Sequence, residues 1–190
     1  SSDLELDLAT EVEVLFTTHS VPMADAENSG PPGAGFGESG AYAAQHLAVA
    51  EVVALAAQQE LIEDTTLAGR VPEQLSWQLV YQSRSGPPSQ PWLEPDINDV
   101  IEELPSKGVK AVVVVPIGFV SDHMEVKFDL DTEAAETAEE IGLPFARAAT
   151  VGTAEPFVRG LVDLVEERAR MARGEEVERP VAGDLPPSHV

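Results

Sequence analysis

The segment "GFVSDHMEVKFDLDTEAAE" (118–136) sets Glu125, Asp129 and Glu133 four residues apart. On a helix such like charges fall one turn apart and cost about 0.2–0.5 kcal/mol per pair in isolation. An α-helix advances ~100° and ~1.5 Å per residue, so each four-residue step is offset by ~40° and climbs ~6 Å. The three carboxylates then form a slowly winding line about two turns long. Hard oxygen ligands in a row suit a divalent ion that moves stepwise and is never held tightly. Spacing alone favours a plainer reading, a solvated acidic face. Asp122 reads as the N-cap. His123 lies about 200° around an α-helix from Glu125, so the two do not face one site, and His123 reads as a supporting or structural residue.

His19 stands where a strand gives way to "SVP", and Pro22 stiffens the loop that follows. Imidazole titrates near neutral pH and binds borderline metals such as ferrous iron. It also commonly just hydrogen-bonds a loop carbonyl, and position does not separate the two roles. Trp77 reads as core. Trp92, in a Pro-rich loop, either caps the core or lines a flat apolar ligand, and Tyr42 is equally open. "GAGFG" has neither dinucleotide spacing nor a Walker lysine and reads as a flexible lip. His46, inside an Ala-rich helix, and His189, in the tail, are poor candidates. There is no G-x-S-x-G elbow.

Elements of alternating type must position these residues. "EVEVLFTT" (11–18), "LSWQLVYQS" (75–83), "KAVVVVPIGF" (110–119) and "LPFARAAT" (143–150) read as strands. The third is a continuous apolar run, which predicts burial on both faces. Helices are predicted over 41–62, 96–108 with Asp96 as N-cap, the acidic segment to about Ile141, and 154–172. Alternating β and α segments imply a mostly parallel sheet with helices on both faces and right-handed crossovers. Ligands of such sheets bind beyond the carboxyl ends of the strands. The loops "HSVP", "RSGPPSQPWLEP" and "GFVSDHME" all leave those ends. Residues 1–172 are expected to form one domain, and the charged, Pro-rich 173–190 a disordered tail.

The chain has 190 residues, 43% apolar, with a formal net charge of −23. That charge repels phosphate backbones, which argues against nucleic acid, and concentrates cations. With no cysteine, the chain has no disulfide and no thiolate metal site. This fits a cytoplasmic protein. No run approaches the roughly 18 apolar residues of a membrane span. "SSDLELDLATEVEV" does not read as a natural start, which suggests a fragment or a processed half.

"EVEVLFTTHSVPM", "LVYQSRSGPPSQPWLEPD" and "VVVVPIGFVSDHMEVKFDLDTEA" together resemble the ferrochelatase family, in order, from about residue 11 to 170. The signatures are His-Ser-x-Pro and Asp-His-x-Glu. Ferrochelatases insert ferrous iron into a porphyrin, either protoporphyrin or coproporphyrin. The resemblance implies a chelatase-like, Rossmann-type α/β half with a four-stranded parallel sheet flanked by helices. It also implies that this is the C-terminal half of a two-half protein whose porphyrin cleft lies between the halves. By the same resemblance His19 is metal ligand or proton acceptor, Glu125 faces it, and Asp129 and Glu133 form a path or outer metal site. Trp92, Tyr42 and Ser20 are expected to contact substrate. Iron is substrate, no cofactor is held permanently, and the iron–sulfur cluster of some relatives finds no cysteine here. The expected partners are porphyrin, ferrous iron and the missing N-terminal half, and the severed face could self-associate. Where the family often has a "GDPY"-like segment, this chain has "SGPPGAGFGESGAY". A sirohydrochlorin-type chelatase and a non-catalytic isolated domain are the competing readings.

Overall fold

The computed structural model describes residues 6–37, 39–67, 70–87 and 89–177. Four strands form one all-parallel sheet: β1 (Val12–His19), β2 (Trp77–Gln82), β3 (Ala111–Pro116) and β4 (Phe145–Arg147). The strand order is β2-β1-β3-β4. The chain steps from β1 to β2 on one side, then crosses back to place β3 on the other. Strand order therefore reverses at β1, and the crevice of such a sheet opens beyond the carboxyl ends of β1 and β3.

The helices are α1 (Met23–Glu27), α2 (Gly40–Glu63), α3 (Ile97–Glu103), α4 (Ala135–Glu140) and α5 (Glu155–Ala172). Asp96 caps α3 as expected, accepting from the Asn98 amide at 2.9 Å. Strand alternation splits the interior into two apolar layers. Leu15, Val80, Val112 and Val114 pack with Ile97, Ile101, Val126 and Leu130 on one face. Phe16, Leu79 and Tyr81 pack with Ala26, Ala50, Ala54 and Leu93 on the other.

Several expectations are corrected. β3 is not buried on both faces: its residues alternate between buried and half-buried. On the α2 face, Val113 and Val115 line an apolar cavity of about 750 Å³ at some remove from His19. Trp77 is half-buried there, edge-on to Phe16 with ring centroids 5.5 Å apart, rather than a closed core residue. β4 shrinks to three residues. By length and composition α2 is apolar enough to cross a membrane, although Gln45, His46, Glu51, Gln58 and Gln59 interrupt its apolar residues. Only 28% of the relevant window is buried. No residue of α5 is buried, and Val158, Leu161, Val162 and Val165 lie exposed on it. Of the expected tail, residues 178–190, with His189, lie outside the described residues.

The acidic segment is not the α-helix its spacing predicts. Val126–Ala134 is π-helical and runs directly into α4. A π turn closes i→i+5 bonds, so it holds more than four residues. A four-residue step then falls just short of a full turn, where an α-helix would overshoot. Val126, Leu130 and Ala134, also four apart, are all fully buried. The carboxylate row and the apolar row therefore wind in the opposite sense to the one an α-helix would give.

Candidate functional site

His19 is the last residue of β1, and Glu125 opens the turn that follows β3, so both lie at the point where strand order reverses. His19 Nε2 and Glu125 Oε2 are 3.9 Å apart, with side chains 33% and 55% exposed. His19 Nδ1 donates to the Ser20 carbonyl. The two readings of this histidine therefore coexist: it bonds a loop carbonyl, and that bond fixes the tautomer. In the neutral ring that leaves Nε2, on the side of Glu125, as the nitrogen with the lone pair, the one that takes a proton or a metal. First-row ions such as zinc bind imidazole and carboxylate at about 2.0–2.2 Å with ligand atoms roughly 3.4 Å apart in a tetrahedron, so the 3.9 Å gap must close by a few tenths of an ångström for one ion to bridge it.

The backbone around His19 is held from several sides. The Tyr42 hydroxyl donates to the His19 carbonyl at 2.8 Å. Thr18 Oγ1 lies 3.0 Å from both that hydroxyl and His46 Nε2, and His46 Nδ1 reaches the Tyr42 carbonyl at 2.7 Å. Burial raises the Tyr42 hydroxyl's pKa above the usual phenol range, so it stays a donor. Ser20 is buried: its amide donates to the Gln82 carbonyl at 2.7 Å and its hydroxyl to the Leu93 carbonyl at 2.9 Å. The tryptophan loop is stitched to the histidine loop at Val21–Leu93, 3.0 Å, and Met23–Pro91, 3.0 Å. Trp92 lies against Gly86, and its indole N–H is buried without a partner among the described residues. Gly118 crosses directly over β1: a Cβ there would stand 2.8 Å from Thr18 Cα.

The three acidic residues are not equivalent. Glu125 meets His19. Asp129 instead accepts from the Ser83 hydroxyl and, at 3.2 Å, from Gln82 Nε2, at the carboxyl end of β2. Gln82 Oε1 in turn accepts from Thr17 at 2.8 Å, so Asp129 is anchored to the interior of the sheet. Glu133 is raised above the ordinary carboxylate range, first by desolvation and then by the charges of Asp129, Asp96 and Glu136. Among the described residues no group of three or more His, Asp or Glu side chains converges to hold a metal ion. Asp122 is not the N-cap. It pairs with Arg147 at 3.2 Å and Lys127 at 3.3 Å. His123 accepts from the Glu125 amide at 3.2 Å and packs edge-on against Phe119.

Sequence reasoning missed Thr18, His46, Gln82 and Arg147. His46 had one usable signal, its four-residue spacing from Tyr42, which puts the two rings one helical turn apart, 4.5 Å between centroids. The others meet the site only through the sheet.

The sequence matches the ferrochelatase family over residues 2–169. It is 58% identical over 169 residues to the coproporphyrin III ferrochelatase of Leifsonia xyli subsp. xyli, a match covering 86% of this chain and 40% of that protein. It is 51% identical over 189 residues to the coproporphyrin III ferrochelatase of Streptomyces griseus subsp. griseus, covering 99% of this chain and 47% of that protein. A ferrochelatase of Rhodopirellula baltica is 43% identical over 93% of this chain and 42% of its own length. The chain thus spans less than half the length of these relatives, and it belongs to the ferrochelatase family.

Proposed function

We propose that this chain carries the metal-handling wall of a protein that inserts ferrous iron into a porphyrin during haem synthesis. Coproporphyrin III is the favoured substrate, because that is the name borne by the relatives from Leifsonia xyli and Streptomyces griseus. One observation carries the reading: His19 Nε2 faces Glu125 Oε2 at 3.9 Å, at the reversal point of a parallel sheet. Insertion exchanges two pyrrole N–H protons for one divalent ion, and the ion must also shed water. His19 accepts a pyrrole proton or gives the ion its last protein ligand, and Glu125 is its partner. Asp129 and Glu133 relay ions or protons along the π-helical segment. Trp92 lies along the macrocycle, while Tyr42 and Ser20 serve it by holding the His19 backbone. Iron enters and leaves as substrate, and no permanent cofactor is needed.

The second reading concerns the chain on its own. Its two site side chains are 33% and 55% exposed, open on one side. We propose that alone it binds metal or porphyrin weakly, and that turnover requires the longer protein with its second cleft wall. The exposed apolar residues of α2 and α5 suit packing against that missing part, or self-association when it is absent.

The test is His19→Ala in the longer protein. Insertion should be abolished while a Soret-band titration still reports porphyrin binding. Retained turnover would sink the assignment of His19. The same titration and insertion assay on the chain alone separate weak binding from catalysis.

A further inference from the structure

We infer that Arg147 is a positioning residue that sets where Glu125 stands opposite His19, an inference that rests on the metal-insertion reading above. Arg147 ends β4, one strand beyond β3, where it pairs in register with Val114. Its guanidinium reaches across the end of β3 and grips the acidic segment twice. Nη1 and Nη2 meet the two carboxylate oxygens of Asp122 at 3.2 and 3.3 Å. Nε donates to Asp131 Oδ1, and Nη2 to Asp131 Oδ2 at 2.9 Å. A further bond to the Ala148 carbonyl, 3.1 Å, fixes the plane of the group. The Arg147 side chain is only 11% exposed.

The two grips bracket Glu125. Asp122 lies three residues before it and Asp131 six after. Lys127 closes the same frame from outside, 3.3 Å from Asp122 and 3.2 Å from Asp131. Two carboxylates and two cations make a locally neutral cluster within a strongly acidic chain. The carboxylate of Glu125 is 55% exposed, so little side-chain packing fixes it. Its position follows from where the loop and the first π-helical turn lie, and the fork of Arg147 holds both. Only a planar, bidentate group can make these two grips together; a lysine offers a single point charge.

The experiment compares Arg147→Met, Arg147→Lys, Glu125→Gln and the Arg147→Met/Glu125→Gln pair in the longer protein. Each is assayed for ferrous insertion below its own melting temperature. Arg147→Met should lower kcat on the order of tenfold or more, since small displacements at a reacting centre are costly. The KM for porphyrin should stay within roughly twofold, because that contact is untouched. Arg147→Lys should fall between. The losses from Arg147→Met and Glu125→Gln should not multiply in the pair, because one acts through the other. Multiplying losses, or an unchanged kcat with only a lowered Tm, would overturn the inference and leave metal insertion standing. A wild-type protein that inserts no metal would overturn both. Should Arg147→Met fail to fold, Asp131→Ala removes one grip and must show the same kcat loss in weaker form, or the inference fails.

Discussion

Gly118→Ala tests how closely the two candidate residues depend on one backbone crossing. Gly118 lies over the end of β1, its amide donating to the Thr17 carbonyl at 3.1 Å. A Cβ added there would stand 2.1 Å from Thr18 Oγ1, 2.6 Å from Thr18 Cβ and 2.8 Å from Thr18 Cα. The hydroxyl cannot simply swing aside, because it is held between Tyr42 and His46. The clash with the Thr18 backbone is not relieved by any side-chain rotation. Opening it from 2.8 Å to an ordinary 3.4 Å moves the crossing by about 0.6 Å. That exceeds the ~0.5 Å within which a catalytic constellation must be held. The displaced strands are the two that matter, since Thr18 precedes His19 and Gly118 leads to Glu125. Overpacking of this kind costs about 1–3 kcal/mol of stability. Insertion kcat in the longer protein should fall on the order of 10²-fold below the variant's Tm. Steady-state insertion by porphyrin absorbance, with thermal unfolding on the same samples, reads both effects. A variant with wild-type kcat and wild-type Tm would refute the claim that this crossing sets the His19–Glu125 distance.

Asp129→Ala should leave the Ser83 hydroxyl without its acceptor and the Gln82 amide, on a residue 1% exposed, with only a long 3.4 Å bond to Ser83 Oγ. Urea unfolding should show a loss of about 1–3 kcal/mol; no loss would mean that Asp129 is not anchored as described. Glu133 has a folded pKa raised above its ordinary 4.5, so the native state binds the proton more tightly than the unfolded one. Its contribution therefore favours folding below the raised pKa and turns against folding as pH climbs through the window above 4.5. Glu133→Gln should gain Tm over wild type as pH rises through that window, and a gap that is constant or shrinks contradicts the shift. Gly86→Ala would place a Cβ 2.4–2.6 Å from the Trp92 indole. The ring must move, which tryptophan fluorescence reads as a changed emission maximum; an unchanged spectrum contradicts the packing of Trp92 on Gly86.

Much of the fold was legible because its signals are local. The alternation of "EVEVLFTT" and the apolar run of "KAVVVVPIGF" mark strands, and Asp96 before Ile97 marks a helix start. The three loops that carry unusual residues do leave the carboxyl ends of β1, β2 and β3. The π-helical turn was not legible in the spacing. Val126, Leu130 and Ala134 repeat every four residues, as do Glu125, Asp129 and Glu133. An α-helix of 3.6 residues per turn would wind such rows around its axis. An ordinary α-helical face also buries residues at i, i+4 and i+8, so the four-residue spacing does not single out the wider turn.

Neighbours in the chain mark His19, Glu125, Asp129 and Glu133 as candidates and set the loop or turn that each occupies. Histidine and carboxylate types, a strand on either side, and helix and turn punctuation are properties of neighbours in the chain. Only the tertiary structure decided which of them meet. Strand order, set by packing apolar side chains far apart in the chain, put His19 next to the turn after β3. The same order gave Asp129 to Gln82 and Ser83, and gave Asp122 to Arg147 in place of a helix cap. It also separated the acidic ridge into one residue that faces the histidine, one tied to the sheet and one left at the surface. Local propensity is the same for all three, so no pattern within the segment distinguishes them.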